Sequence, residues 1–478
     1  MSKKTVLAID LGAESGRVMA AHFDGETIQI EEVHRFPNTS VVMNNTRYWD
    51  ILSLWGNIQI GIAKGQAHQP ASLGVDAWGV DFGLLDHQGN LLSNVVHYRD
   101  PRTDNMMDAV FARVPKAEVF AQTGIQFMQL NTLYQLMSLV ETQSPLLEIA
   151  ETFLTVPDLF NYWLTGEKAC EFTNATTTQV YDPRKYAWAD DLLNRLNIPR
   201  HIFPQVVAPG TQLGSYEGIP VIAPACHDTG SAVAGVPTAT SHYAYLSSGT
   251  WSLIGLEIPE AIINEAALTA NLTNEGGVYN TFRLLKNVMG LWILQQCRAT
   301  WAAEGEDLEY STLAEMAKSV PPLTSIINPD DPIFLQPGNH PQHVQTLCQQ
   351  TGQPVPESKA AIVRCVLESL AIKYRYVLDR LIQLTGQTVD TIHIIGGGSQ
   401  NELLCQMTAD ATGRVVLAGP AEATALGNAM VQFITLGELS NIAEARQLAA
   451  HSSHLVRYEP QINARWDERY EQYIKLWE

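Results

Sequence analysis

The hydrophobic pattern divides the chain into short apolar runs, glycine-rich turns and longer stretches of helical period. Val6 to Ile9 and Val18 to Ala21 read as two buried strands, because short continuous apolar runs bounded by turn residues suit strands covered on both faces. Residues 48–66 carry a helical period, 72–90 hold two short apolar strands with a turn at 87–90, and 106–166 read mainly as helix. Pro115, Gly124, Pro145 and Pro157 break that helical region. The polar stretch TNATTTQVYD (173–182) predicts a loop. Ile219 to Ala225 reads as a strand, followed by a helix start near Asp228. Residues 243–256 read as strand, Ser-Ser-Gly-Thr turn, strand. That unit resembles the chain's own beginning, VLAIDLGAESGRVMAA, and so predicts a repeated architecture.

Further on, a helix is expected from about Lys286, carrying Asn287 and Gln295. The clearest helix runs from Ser358 to Leu384. Ser358 suits its N-cap, Gly386 follows its end, and Ile362, Val363, Val366, Leu370 and Val377 recur at helical spacing. TIHIIGGGSQN (391–401) reads as strand, three glycines, helix start. GPAEATALGNAMV (419–431) opens a helix with small residues suited to tight packing.

Bulk properties narrow the possibilities. At 478 residues the chain has room for two or three domains, at about 100–200 residues each. No apolar run reaches the roughly 18 residues of a membrane span. The start, MSKKTVLAID, lacks the apolar core and cleavage site of a signal peptide, which predicts a cytoplasmic protein. Six scattered cysteines without a C-x-x-C pair argue against a zinc site or a disulfide framework. Cys226 reads as a buried small residue. The net charge of −20 disfavours nucleic acid as a partner. A nucleotide ligand would have to come with a cation and meet local donors.

Several stretches could carry chemistry. In D-L-G-A-E-S-G-R (10–17), two glycines let backbone N–H groups approach a ligand, Ser15 offers a hydroxyl and Arg17 a fixed charge. Asp10 could hold a metal ion through water. A plain hairpin with a glycine-rich turn is the alternative. Asp76, Trp78, Gly79 and Asp81 could line a sugar pocket or be ordinary strand residues with solvated acids. Arg99, Asp100 and Arg102 read as a surface charge cluster. Asp228 places a carboxylate between a strand and a helix start, where chemistry on a phosphate or hydroxyl is feasible. Asp228-Thr229-Gly230-Ser231 spells the D-T-G-S of aspartic proteases. That chemistry needs two such aspartates, and no second D-[TS]-G occurs. Walker-type phosphate loops, H-E-x-x-H and G-x-S-x-G are absent as well.

Taken in order, DLGAESGR, VDAWGVDFGLLD, YRDPRT, TNATTTQ, CHDTGSAV, YLSSGTWSL, NLTNEGG, LLKNVMGLW, HIIGGGSQN and GPAEATALGN are similar to the motifs of the FGGY carbohydrate kinases. The series spans about residues 5 to 440. The resemblance implies an α/β, two-domain sugar kinase/actin-like ATPase fold of duplicated ribonuclease H-like domains, with the active site in the cleft between them. The expected divisions are 1–240, 241–440 and a tail, 441–478, packed on the second domain. It further implies that Ala13, Glu14, Ser15, Gly16, Arg17, Thr250, Gln295 and Gly397 bind ATP. Gly79, His227, Asp228, Thr229 and Asn287 would contact the sugar, with Asp228 as proton acceptor.

ATP with Mg2+ is the implied cofactor and a ketose the implied partner, in a monomer or dimer without nucleic acid or membrane. L-rhamnulose leads among ketoses, with L-fuculose, L-xylulose and D-ribulose as alternatives. A non-catalytic sensor of the same fold would be expected to lack the proton acceptor. Two positions depart from the family pattern. Glu14 stands where a small polar residue is usual and would repel phosphate unless it points away. Cys226 stands where Ser is expected. An aspartate of ordinary pKa, about 3.9, is already ionised at neutral pH, so Asp228 needs no large shift.

Overall fold

The computed structural model describes residues 3–477, and the chain divides into two compact units. The first runs through Ala239 and takes back Glu257–Leu284 and Glu422–Ser453. The second holds Thr240–Leu256, Leu285–Ala421 and the described chain from His454 onward. The first change of unit falls at the expected division near residue 240, but the units are not contiguous. Residues 422–453 return because the helix Ala423–Thr435 packs its small residues into the first unit, Ala425 against Ala8 and Met19. The tail divides likewise: the helix Ile442–Ser452 belongs to the first unit and Ala464–Trp477 to the second.

The first unit is built on β1 (Lys4–Leu11), β2 (Ser15–Phe23), β3 (Ile28–Pro37), β4 (Leu73–Ala77), β5 (Gln212–Tyr216) and β6 (Ile219–Ile222). Their order is β5-β6-β4-β1-β2-β3. β1 pairs antiparallel with β2 and parallel with β4. Side chains alternate across the sheet, so Leu7 and Val18 face one helix while Ala8 and Met19 face another. The first helix is Ile51–Gly65, capped by Asp50. It approaches so closely that a Cβ on Gly61 would stand 2.3 Å from Val18, and one on Gly65 2.6 Å from Leu7.

The second large sheet repeats this plan. β7 (Tyr243–Ser248), β8 (Trp251–Ile258), β9 (Phe282–Met289), β10 (Thr391–Ile395), β11 (Val415–Ala418) and β12 (Val456–Tyr458) are neighbours in the order β9-β8-β7-β10-β11-β12, within a seven-stranded sheet. β7 pairs antiparallel with β8 and parallel with β10, as β1 does with β2 and β4. The echo between the two glycine turns is therefore an echo of topology. The long helix Lys359–Thr385 has the expected ends: the Ser358 hydroxyl accepts the Ala361 N–H, and Gly386 is left-handed at φ 68°.

Two elements differ from expectation. The Thr-rich stretch is no loop: it forms the short helix Phe172–Ala175 and the turn Thr176–Thr178, buried throughout. The hydroxyls of Thr176, Thr177 and Thr178 donate back to the carbonyls of Thr173, Asn174 and Ala175, so polar residues are satisfied inside the protein. Asn287 lies on strand β9, and the following helix, Trp292–Ala303, begins only after Gly290. Among the described residues no helix is long and apolar enough to cross a membrane.

Candidate active site

Asp228 opens the helix Asp228–Ala234 in the first unit. The strand before it is shorter than expected and ends at Ile222, yet the chain keeps its course along β4. Ala77 donates to Cys226 O (2.9 Å) and bridges in parallel with His227. Glu171 fixes this segment from below. Its buried carboxylate accepts the N–H groups of Cys226 (2.8 Å) and Thr173 (3.0 Å) and the Thr173 hydroxyl (2.6 Å). Burial pushes its pKa up to about 7. The Thr173 hydroxyl in turn accepts the His227 N–H at 3.0 Å. Glu171 and the Thr-rich turn are positioning residues that sequence reading missed.

The Asp228 side chain keeps 26% of its surface exposed. Its Oδ1 accepts the N–H of Thr229 at 2.6 Å and that residue's hydroxyl at 3.2 Å. The helix is only seven residues long, and this N–H is turned onto Asp228 itself, so no anion site at the helix start is needed. Burial raises the Asp228 pKa above the ordinary carboxylate value; His227, Thr229 and Arg283 oppose the rise. Partial removal from water makes Asp228 more basic.

His227 is buried beside it, with Nε2 3.4 Å from Asp228 Oδ1. On its other side the fully buried Arg283 donates from Nη2 to His227 Nδ1 at 3.0 Å, and from Nε to Gly276 O at 2.8 Å. Glu275 holds the same guanidinium at 3.2 Å. Nδ1 also stands 3.3 Å from Glu275 Oε2; with the arginine bond made, Nδ1 carries the lone pair and Nε2 the proton, toward Asp228, since an arginine cannot accept. Glu275 and Arg283 complete a chain that ends on the proposed base, and neither was singled out from sequence. The D-T-G-S stretch sits at a helix start in a mixed α/β unit, without the partner aspartate of a protease.

Across β1 and β4, Asp10 stands in register with Asp76. Arg17 binds Asp10 Oδ2 at 2.7 Å through Nη2 and Glu422 at 2.9 Å through Nε. The charge expected to face phosphate is therefore already held by two carboxylates. Burial raises the pKa of both aspartates, Asp10 to about 7 although Arg17 opposes it, and the charge of Asp10 adds to the rise at Asp76. Asp76 Oδ2 accepts the Asn428 amide at 2.6 Å. Among the described residues its Oδ1 has no hydrogen-bond partner. Buried carboxylate oxygens of this kind suit a hard cation such as Mg2+.

In the turn itself Gly12 donates to Ser15 O at 3.1 Å, and Glu14 is exposed while its carbonyl accepts the Asn38 N–H. Gly16 is required for packing, since a Cβ there would meet the Phe36 ring at 2.3 Å.

Gly79 lies next to this cluster, and a Cβ on it would press on Thr177 Oγ1 at 3.0 Å. Val80 follows at φ 71°, with Asp81 N–H bonded to Gly79 O at 3.0 Å. A β-branched residue in a γ-turn of this hand is strained, by about 1–3 kcal/mol. The turn is held because Thr132 and Gln135 both donate to Val80 O.

The acids of the Trp78 stretch are not solvated: Asp76 and Asp81 are both buried. Asp81 accepts from Trp49, Trp78, Tyr98 and Gln135 inside the unit. Arg99 and Asp100 are buried too, rather than a surface cluster, with Asp100 accepting the N–H groups of Arg47 and Arg102.

Thr250, Asn287, Gln295 and Gly397 belong to the second unit. Gln295 Nε2 donates to the Thr250 hydroxyl at 3.3 Å, and Trp292 N–H binds Thr250 O at 3.1 Å, so the turn between β7 and β8 is tied to the helix that follows β9. Gly397 is exposed, with nothing within 4 Å of where its Cβ would stand, whereas Gly398 is pressed against Ser248. The glycine loop thus packs through one residue and stays open at another.

Comparison with known proteins bears on this arrangement. The sequence model of the N-terminal domain of the FGGY family of carbohydrate kinases matches residues 5–235, and that of the C-terminal domain matches 244–436. The chain is 44% identical over 481 residues to a rhamnulokinase of Bacteroides thetaiotaomicron, covering 98% of each. It is 43% identical to a rhamnulokinase of Pectobacterium atrosepticum, covering 97% of this chain and 95% of that one.

Among solved structures, a ligand-bound xylulose kinase from Lactobacillus acidophilus superposes with a TM-score of 0.81 at 16% identity, covering 99% of this chain and 97% of the other. A Plasmodium falciparum glycerol kinase with ADP gives 0.77 at 14%, over 99% and 97%. At such identities the structures speak for the fold alone, whereas the domain matches and the near full-length relatives speak for descent. The chain belongs to the FGGY family of carbohydrate kinases.

Proposed function

We propose that this chain transfers the γ-phosphoryl group of ATP to the 1-hydroxyl of L-rhamnulose, giving L-rhamnulose 1-phosphate and ADP. The near full-length similarity to two rhamnulokinases carries the choice of sugar. The pairing of Asp228 with an oriented His227 supports the chemistry. In this reading Gly79, His227, Thr229 and Asn287 hold the ketose, and the Ala13–Arg17 turn, Thr250, Gln295 and Gly397 hold the nucleotide. Mg2+ supplies positive charge against the phosphate oxygens, and Asp10, with Asp76 beside it, offers the oxygen donors that would hold it.

Phosphoryl transfer has a loose transition state, so the protein's part is positioning and electrostatics. Asp228 accepts a hydrogen bond from the 1-hydroxyl and takes its proton as the new O–P bond forms and the bond to ADP breaks. Its raised basicity favours that transfer. His227 presents Nε2–H toward the same carboxylate and keeps it oriented. The Arg283 guanidinium locks that tautomer. The all-buried, free cysteines accord with a cytoplasmic setting.

L-fuculose, L-xylulose and D-ribulose differ from L-rhamnulose in hydroxyl placement or in the terminal carbon. A panel of these ketoses with coupled ADP detection tests the assignment. L-rhamnulose should give the highest kcat/KM; a higher value on another ketose would replace the substrate and leave the kinase class intact.

A further inference from the structure

The face of the first sheet opposite Asp10 gathers three metal-binding side chains from distant parts of the chain. His22 lies near the end of β2, where its register partner on β1 is Thr5. On β3, Glu31 pairs with Ala20. That makes Glu31 the diagonal neighbour of His22 on the same face. His68 ends the turn Gln66–His68, which follows the Ile51–Gly65 helix on that face. The returning chain is then tied to β1 by the bond from Ala71 N–H to Thr5 O at 2.8 Å. One ligand atom from each of His22, Glu31 and His68 lies within 4.8 Å of the other two. His22 Nε2 and Glu31 Oε2 are 3.2 Å apart, and the two imidazole rings are centred 5.3 Å from one another.

These spacings suit a shared ion. Bonds of about 2.0–2.2 Å in a tetrahedral shell put neighbouring ligand atoms about 3.3 Å apart. The His22–Glu31 pair already stands at that distance. His68 would close by about 1.5 Å at most, from a short surface turn. The other ring nitrogen of His22 meets the Thr5 hydroxyl at 2.9 Å, the kind of partner that fixes a ligating imidazole. The His22 side chain is only 10% exposed while Glu31 is 58% exposed. A buried nitrogen and a solvent-facing carboxylate leave room for water as a fourth ligand. Two imidazoles and one carboxylate favour zinc-class ions over Mg2+, which prefers oxygen alone. Arg17 and His22 are five residues, about 17 Å, apart along β2 and on opposite faces. The site is therefore separate from the carboxylates proposed for catalysis.

We propose that His22, Glu31 and His68 bind one transition-metal dication of the zinc class, fastening β2 and β3 to the turn that follows the first helix. The test uses the full chain, stripped with chelator and titrated with Zn2+ against a chromophoric competitor in excess Mg2+. The wild type should take up one equivalent of zinc and melt higher with it. His68→Ala and Glu31→Gln should each weaken that equivalent at least tenfold. Both variants should keep the metal-free melting temperature and kcat of the wild type, which separates a lost ligand from a lost fold. Failure of the wild type to hold zinc against the competitor, or undiminished uptake by His68→Ala, would overturn the proposal.

Discussion

Replacing Gly427 with alanine tests whether the helix that carries Asp228 is held where the structure places it. In an ordinary helix interior this change stabilises, by about 1 kcal/mol. Here the new Cβ would stand 1.8 Å from Ser231 O and 2.7 Å from Gly235 N, both backbone atoms of the Asp228–Ala234 segment and its end. Carbon and oxygen come no closer than about 3.3 Å in ordinary contact. The two helices must therefore part by roughly 1.5 Å or their axes must tilt. Overpacking costs about 1–3 kcal/mol when side chains can adjust, and backbone cannot swing aside, so the upper part of that range applies. Net of the propensity gain, about 2 kcal/mol of stability should be lost. For a unit of this size that is a fall in Tm of roughly 4 °C. A shift of about 1 Å at Asp228 should also lower kcat, by up to about a hundredfold. Scanning fluorimetry and coupled ADP release measure both. A variant that melts as high as the wild type and keeps its kcat would refute the close crossing of these helices.

Two further predictions come from buried charge. Asp330 binds Lys373 at 2.9 Å and lies near Lys286, which burial pushes down to about 8. Asp330→Asn removes the charge facing two buried ammonium groups and should cost about 3 kcal/mol in mild acid, a deficit that shrinks as pH rises toward 8, because without the carboxylate Lys286 sheds its proton below the about 8 it holds in the wild type; a melting temperature unchanged at pH 6 would contradict this. The second concerns pH: only ionised Asp228 can accept the proton, and burial raises its pKa, so kcat/KM should begin to fall on the acid side above the about 3.9 of a free aspartate. Activity flat down to pH 4 in a folded enzyme would rule out the shift.

Much of the frame was legible because it rests on local rules. The strands flanking the first glycine turn, the caps Ser358 and Gly386, and the small residues that open the Ala423–Thr435 helix follow from period, capping and size. Asp228 stood out as the carboxylate of one short stretch, and His227 beside it entered through the family resemblance. Their supports did not stand out. Glu171, Glu275 and Arg283 reach the site from 47 or more positions away from Asp228, and their role exists only once the strands are side by side. RLLKNVM carries no clear period, and pairing within the sheet puts Asn287 on a strand. Charge misled at Arg99 and Asp100: composition favours the surface, but both are buried, and the backbone N–H groups of Arg47 and Arg102 satisfy Asp100 inside. His22, Glu31 and His68 have no metal-site spacing in sequence, and only strand register brings two of them together.

The most direct test of the account is Asp228→Asn, measured for kcat and Tm together. The change keeps the shape and one acceptor oxygen but removes the base. Turnover should drop by about 10²–10⁴, the range of a positioned acid or base, with KM for the sugar little changed. The stability change has a definite sign. A carboxylate whose folded pKa is raised destabilises the fold at pH values above that pKa, and the penalty disappears below its unfolded pKa. At pH 7.5 the asparagine variant should therefore melt no lower than the wild type. A folded variant that keeps more than about a tenth of wild-type kcat would contradict the central claim and remove Asp228 as the base.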